Sequence, residues 1–123
     1  QFESNLKNLI SSHDIIIAED YTGTALAWGS AKGQDLAWLE SINQQLIQED
    51  LAILIDGERS TKSIESGHIH ENNHQLVQEV KKVLLNLAES KNWHIIHRQA
   101  EIMDTQNLLI NLIDQHIENS RRP

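Results

Sequence analysis

Two aliphatic runs in this sequence end on acids. Ile15-Ile16-Ile17-Ala18 leads into Glu19-Asp20-Tyr21, and Leu51 to Ile55 leads into Asp56-Gly57-Glu58-Arg59. In open parallel sheets ligands sit outside the carboxyl ends of the strands, so these residues, with Arg98 after a third run, are the positions to inspect. A carboxylate at a strand end can hold magnesium directly or through water, because the ion is hard and keeps several of its waters. Glu19 fits that role, and an acid that merely ends a strand fits the same pattern. Glu19 and Asp20 are neighbours, so in extended chain their side chains point to opposite faces and make no carboxylate pair. No nucleophile-elbow sequence is present, which removes the serine hydrolases.

The histidines offer a second chemistry. His68, His70 and His74 fall close together with Glu71 among them. Zinc needs three or four ligands converging at about 2.0–2.1 Å. His68 and His70 share a face of an extended segment, and Glu71 and His74 can meet across a helical turn. A polar, histidine-rich loop is more commonly solvated, and that reading is preferred.

The elements that must position these residues alternate helix and strand. Phe2, Leu6, Leu9 and Ile10 share one helical face, closed by Ser11-Ser12-His13. Residues 15–18 read as a strand covered on both sides. Residues 22–32 read as a loop feeding a short helix, and Asp35 as the cap of a helix with face Leu39, Ile42, Leu46 and Ile47. Leu51 to Ile55 is a second buried strand. Leu76, Val80, Val83, Leu84, Leu87 and Ala88 stripe a helix over 71–89. Trp93 to His97 is a third strand, and Asp104 caps a last helix bearing Leu108, Leu109, Leu112, Ile113 and Ile117. The gaps between strands are long and contain helix, which implies parallel pairing and a layered α/β domain.

Composition sets the bounds. The chain has 123 residues, 39% hydrophobic, with five aromatics and a net charge of −8. A core exists and is aliphatic. Without cysteine there are no disulfides or thiolate metal sites. Residues 1–56 hold nine acids against Lys7 and Lys32, and residues 57–123 hold nine acids against eight bases. No basic stripe suits a nucleic acid, and no apolar run approaches the roughly 20 residues of a membrane span. The chain begins at Gln1 rather than methionine and reads as a processed or trimmed product.

The stretch Ala18-Glu19-Asp20-Tyr21-Thr22-Gly23-Thr24-Ala25-Leu26-Ala27-Trp28-Gly29, followed by Gly33-Gln34-Asp35-Leu36 and Trp38-Leu39, resembles thymidylate kinases. That family has an acid-Arg-Tyr after its third strand, then a Thr or Ser, an Ala-Tyr pair, a glycine and a helix. A Pro-Asp-Leu precedes its fourth strand, and here Glu49-Asp50-Leu51 and Ala52 to Ile55 fill that place. The resemblance runs on through an arginine-bearing lid with Arg59 and Glu71 to the final strand and helix.

The resemblance implies a nucleoside monophosphate kinase that moves the γ-phosphoryl group of ATP to dTMP, giving dTDP, with Mg2+. Its fold would be a parallel sheet with helices on both faces, lacking the first two strands. Residues 1–123 would form one incomplete domain matching the family's later two-thirds, with residues 57–74 as the lid. Glu19 would stand near the magnesium, and Asp20, Tyr21, Thr24 and Trp28 would line the thymidylate pocket. Trp28 takes the place of a tyrosine, and helical spacing equally allows it a core role. Arg59 would bridge the transferred phosphoryl group, against the alternative of a solvated surface cation. A cytoplasmic homodimer is the family's usual form.

Two departures qualify this. Asp20 stands where the family has the arginine that grips the acceptor phosphate. The donor-phosphate loop G-x-x-x-x-G-K-[ST] is absent from these residues, so the 123 residues alone are not expected to turn over. The rival reading is a non-catalytic remnant serving as an assembly or interaction module. In the family's strand order 2-3-1-4-5 the visible runs match strands three, four and five. Residues 15–18 and 51–55 would then lack a strand between them, and either a further segment, a partner chain or re-pairing would have to satisfy their edges.

Overall fold

The computed structural model describes residues 2–57 and 74–121. They divide into two compact units, one from Gln1–Glu49 with Gln75–Leu84, the other from Asp50–His74 with Leu85–Pro123.

In the first unit, α1 spans Phe2–Ser12 and buries Leu6. The Ser11 and Ser12 hydroxyls both donate to the Asn8 carbonyl, at 2.8 and 2.9 Å, and so satisfy its last turn. The following residues 15–18 form no strand. Ile15 is 55% exposed and Ile17 81%, so the expected doubly covered strand is corrected. The physical reason is that a strand is a ladder, and among the described residues nothing pairs with this run.

Residues 22–32, expected as a loop feeding a short helix, are helical from the start of that stretch, as α2, Thr22–Ala31. Tertiary packing outweighs the poor propensity of its glycines and threonines. Leu26 and Ala27 are buried, and a Cβ at Gly29 would stand 2.8 Å from Leu39 Cδ1, so a larger residue there would oblige the Leu39 side chain to shift. Gly33 ends α2 at φ +101. Its N–H reaches Ser30 O, and that of Gln34 reaches Gly29 O, a Schellman closure.

The helix α3 is Leu36–Asn43, and the Asp35 carboxylate caps it by accepting from Trp38 N at 3.2 Å. It stops sooner than the apolar pattern suggests. The Asn43 amide donates to Leu39 O at 2.7 Å, which offers the last turn a side-chain substitute. Leu46 and Ile47 therefore lie beyond the helix, and Ile42 is exposed.

In the second unit, β1 (Ile53–Asp56) and β2 (His94–His97) pair in parallel, with Ile53 opposite His94 and Asp56 opposite His97. The parallel direction agrees with the long helical connection. The burial expected of 51–55 does not hold, since Ile55 is 49% exposed, and the strand itself is shorter than that run. The helix α4, His74–Ser90, gives Val80 to the core of the first unit and Leu87 and Ala88 to that of the second. Asn92, at φ 57, turns the chain from α4 into β2, with Trp93 N–H on Ala88 O and Asn92 N–H on Glu89 O. Asparagine is one of the few side chains at ease there.

The last helix, α5, is Ile102–Ser120 and packs against β2. Its N-cap is Glu101, not Asp104. The start is fixed earlier because Thr105 Oγ1 accepts from Gln99 N at 2.8 Å, leaving Asp104 as a favourable charge in the first turn. The described residues are mixed helix and strand, with a small parallel pair in the second unit.

Candidate functional site

The residues singled out around position 20 converge on the start of α2. Asp20 has φ +54, a left-handed conformation that aspartate tolerates better than most side chains. Its Oδ1 accepts from the Thr24 hydroxyl at 3.3 Å. Four residues further, Trp28 presents its ring to Lys32, whose Nζ lies 5.8 Å from the ring centroid, near the outer limit of a cation–π contact. Residues 20, 24, 28 and 32 thus form one stripe at helical spacing. The buried Leu26 and Ala27 lie on other faces of the helix. The stripe carries an acceptor, a hydroxyl, an aromatic plane and a cation in a row.

Glu19 is exposed in the bend before α2. It follows an irregular segment rather than a strand, so its expected setting at a strand end is corrected, with the carboxylate open to solvent.

Tyr21 is directed differently. It is the N-cap residue of α2 without a side-chain cap, and its hydroxyl donates to Ile47 O at 2.9 Å. Burial, then the charges of Glu3 and Glu49, push the phenol above its ordinary value of 10.0. The hydroxyl is therefore kept protonated and donating. The N–H of the same Ile47 donates to Glu3 Oε1 at 2.9 Å, while Glu3 Oε2 is buried without a hydrogen-bond partner. Both polar backbone groups of Ile47 are thus held by side chains remote in sequence.

A second set lies at the carboxyl ends of β1 and β2. Asp56 Oδ2 stands 3.7 Å from His97 Nδ1, and Arg98 N donates to Asp56 O at 2.7 Å. A Cβ at Gly57 would lie 2.7 Å from the Arg98 Cβ, so glycine is needed where the two chain ends close up. Arg59, His68, His70 and Glu71 lie outside the described residues, as does most of the expected lid over 57–74. His74 is exposed at the start of α4, and no group of three His, Asp or Glu among the described residues is arranged to hold a metal ion.

Sequence reasoning named Asp20, Tyr21, Thr24 and Trp28 and missed Lys32, Glu3, Ile47 and His97. Lys32 was findable, since it sits four residues beyond Trp28. Glu3 and Ile47 are separated by 43 intervening residues (numbers 4–46) and carry no local signal of their pairing.

The class defined by these features is a mixed α/β protein with parallel strands and an acid-Tyr-Thr-Trp constellation opening a helix. Over nearly its whole length the chain is similar to thymidylate kinases. A probable thymidylate kinase of Thermococcus gammatolerans is 29% identical over 118 residues, covering 91% of this chain and 57% of the relative. One from Thermococcus onnurineus is likewise 29% identical over 118 residues, covering 91% and 58%. One from Caldivirga maquilingensis is 22% identical over 114 residues, covering 89% and 56%. The chain therefore spans a little over half the length of these relatives. No family model matches the chain. No solved structure matches it. Among the described residues no helix is long and apolar enough to cross a membrane.

Proposed function

We propose that this chain is the acceptor-side portion of a nucleoside monophosphate kinase of thymidylate kinase type. The observation that carries the reading is the 118-residue similarity to the Thermococcus gammatolerans protein, which takes in the whole Asp20–Trp28 stripe. In the reaction an oxygen of the dTMP phosphate attacks the γ-phosphorus of ATP, the bond to the β-phosphate oxygen breaks, and dTDP and ADP leave. The Thr24 hydroxyl, its proton directed at Asp20 Oδ1, accepts from an N–H of the acceptor, Trp28 packs on its base, and Tyr21 holds the turn that presents both. Arg59 supplies the guanidinium for the moving phosphoryl group.

A magnesium ion that arrives with ATP needs few protein ligands, and the solvent-facing carboxylate of Glu19 fits such a water-mediated role. When bound, the ion neutralises charge between the β- and γ-phosphates. The donor loop is not within these residues, so turnover is proposed for a chain that includes one. A homodimer in the cytoplasm follows from the same reading.

Asp20 favours a second reading, a kinase-like module without catalysis, because its carboxylate is engaged by Thr24 and repels phosphate. Calorimetric titration of dTMP and ATP separates the two. The kinase reading expects dTMP binding that Thr24→Ala weakens about five- to tenfold, the loss of one hydrogen bond. Absence of dTMP binding by a chain carrying the donor loop would leave the module reading.

A further inference from the structure

We propose that Glu3 is a positioning residue for the Asp20–Thr24–Trp28 stripe, acting through the backbone of Ile47 and the side chain of Tyr21. The proposal rests on the reading of that stripe as the acceptor-nucleotide face.

The path is short and polar. Glu3 Oε1 accepts from Ile47 N–H, and Ile47 O accepts from the Tyr21 hydroxyl, each at 2.9 Å. Tyr21 follows Asp20 directly, and its own carbonyl accepts from Ala25 N at 3.3 Å in the opening of α2. Fixing the Tyr21 ring therefore fixes the turn in which Asp20 holds φ +54 and meets Thr24. Among the described residues no ladder restrains residues 15–18 just upstream, so this clamp is what orients the turn there.

Glu3 is not explained as a surface acid. One of its carboxylate oxygens is buried without a hydrogen-bond partner, a cost a solvent-facing glutamate avoids. The other is aimed at a single N–H in the segment after α3. The charged groups bearing on the Tyr21 hydroxyl are Glu3 and Glu49, and both favour the neutral donor that the clamp needs.

The test uses the 123-residue chain and three variants, Glu3→Ala, Glu3→Gln and Tyr21→Phe. The side-chain signals of Thr24 and Trp28 and the exchange rate of the Ala25 amide are followed by NMR without ligand, and dTMP affinity by calorimetry. Glu3→Ala and Tyr21→Phe are expected to move the Thr24 and Trp28 signals alike and to speed Ala25 exchange at least tenfold. Both should weaken dTMP binding about tenfold. Glu3→Gln keeps an acceptor for Ile47 N–H and should return the signals, and the affinity to within about threefold of the parent. If Glu3→Ala does not fold, Tyr21→Phe and Glu3→Gln still decide the matter.

A Glu3→Ala protein that melts lower while its Thr24, Trp28 and Ala25 readouts stay in place assigns Glu3 to stability alone and overturns the inference. Coupled signals in a parent chain that binds no dTMP would uphold the clamp and pass the nucleotide reading to the titration of a chain that carries the donor loop.

Discussion

Residues 15–18 and 53–56 are almost the same peptide, Ile-Ile-Ile-Ala against Ile-Leu-Ile-Asp, each followed by acidic, turn-forming residues. One is an irregular segment with Ile17 mostly in solvent, and the other is a strand. Local β-propensity is the higher in 15–18, with its three isoleucines, so it does not make the difference. What differs is the availability of a neighbour. β1 has β2 in register beside it, and nothing among the described residues pairs with 15–18. Strand propensity describes how well a side chain fits a pleated, half-buried surface, and it is realised only where that surface exists.

The largest contrast should appear in amide exchange. Amides of β1 and β2 should exchange about a thousandfold more slowly than those of 15–18, corresponding to some 4 kcal/mol of opening free energy. Comparable rates in the two runs, read by NMR after transfer to heavy water, would erase the comparison. Next comes truncation. Ile96 is buried on β2, and Ile96→Ala should cost about 2–4 kcal/mol in urea unfolding. Ile17→Ala should change stability by less than about 0.5 kcal/mol.

A contrast smaller than that between Ile96 and Ile17 concerns how the irregular run is tethered in place of a ladder. Tyr21→Phe should cost about 1 kcal/mol at neutral pH. Because folding raises the phenol's pKa, the native state binds the proton more tightly. Its stabilisation is complete below pH 10.0, the ordinary value, and is lost as pH rises through the raised folded-state value. Alkaline titration of stability should therefore fall more steeply in the parent than in Tyr21→Phe. Parallel curves would remove the tether from the account.

The parts of the fold legible in the sequence are those where one local rule acts without a rival. The apolar stripe of α4, the Asp35 cap and the parallel direction of the strands are of this kind. The helix over residues 22–31 is longer than its sequence suggests because Gly23, Gly29 and two threonines argue against helix, while the small size of Gly29 is what lets α2 come close to Leu39. The end of α3 was missed because Asn43 competes for a backbone carbonyl inside an otherwise periodic pattern. At the site, resemblance supplied Asp20, Thr24 and Trp28, and their spacing alone shows that they share a helical stripe. The Glu3–Ile47–Tyr21 link was invisible because a hydrogen bond between distant segments leaves no periodic trace.

The left-handed backbone at Asp20 also governs which sequence changes are open to a protein engineer, or to a lineage, and in what order. Exchanging Asp20 for arginine would put a positive charge at the opening of α2. It would also place a long side chain at φ +54, at a cost of about 1 kcal/mol, and abolish the acceptor for Thr24. The route is easier if the turn relaxes first, so that position 20 leaves the left-handed region before its charge is reversed. Taken in the opposite order, the same two steps pass through an intermediate that is both strained and missing a hydrogen bond.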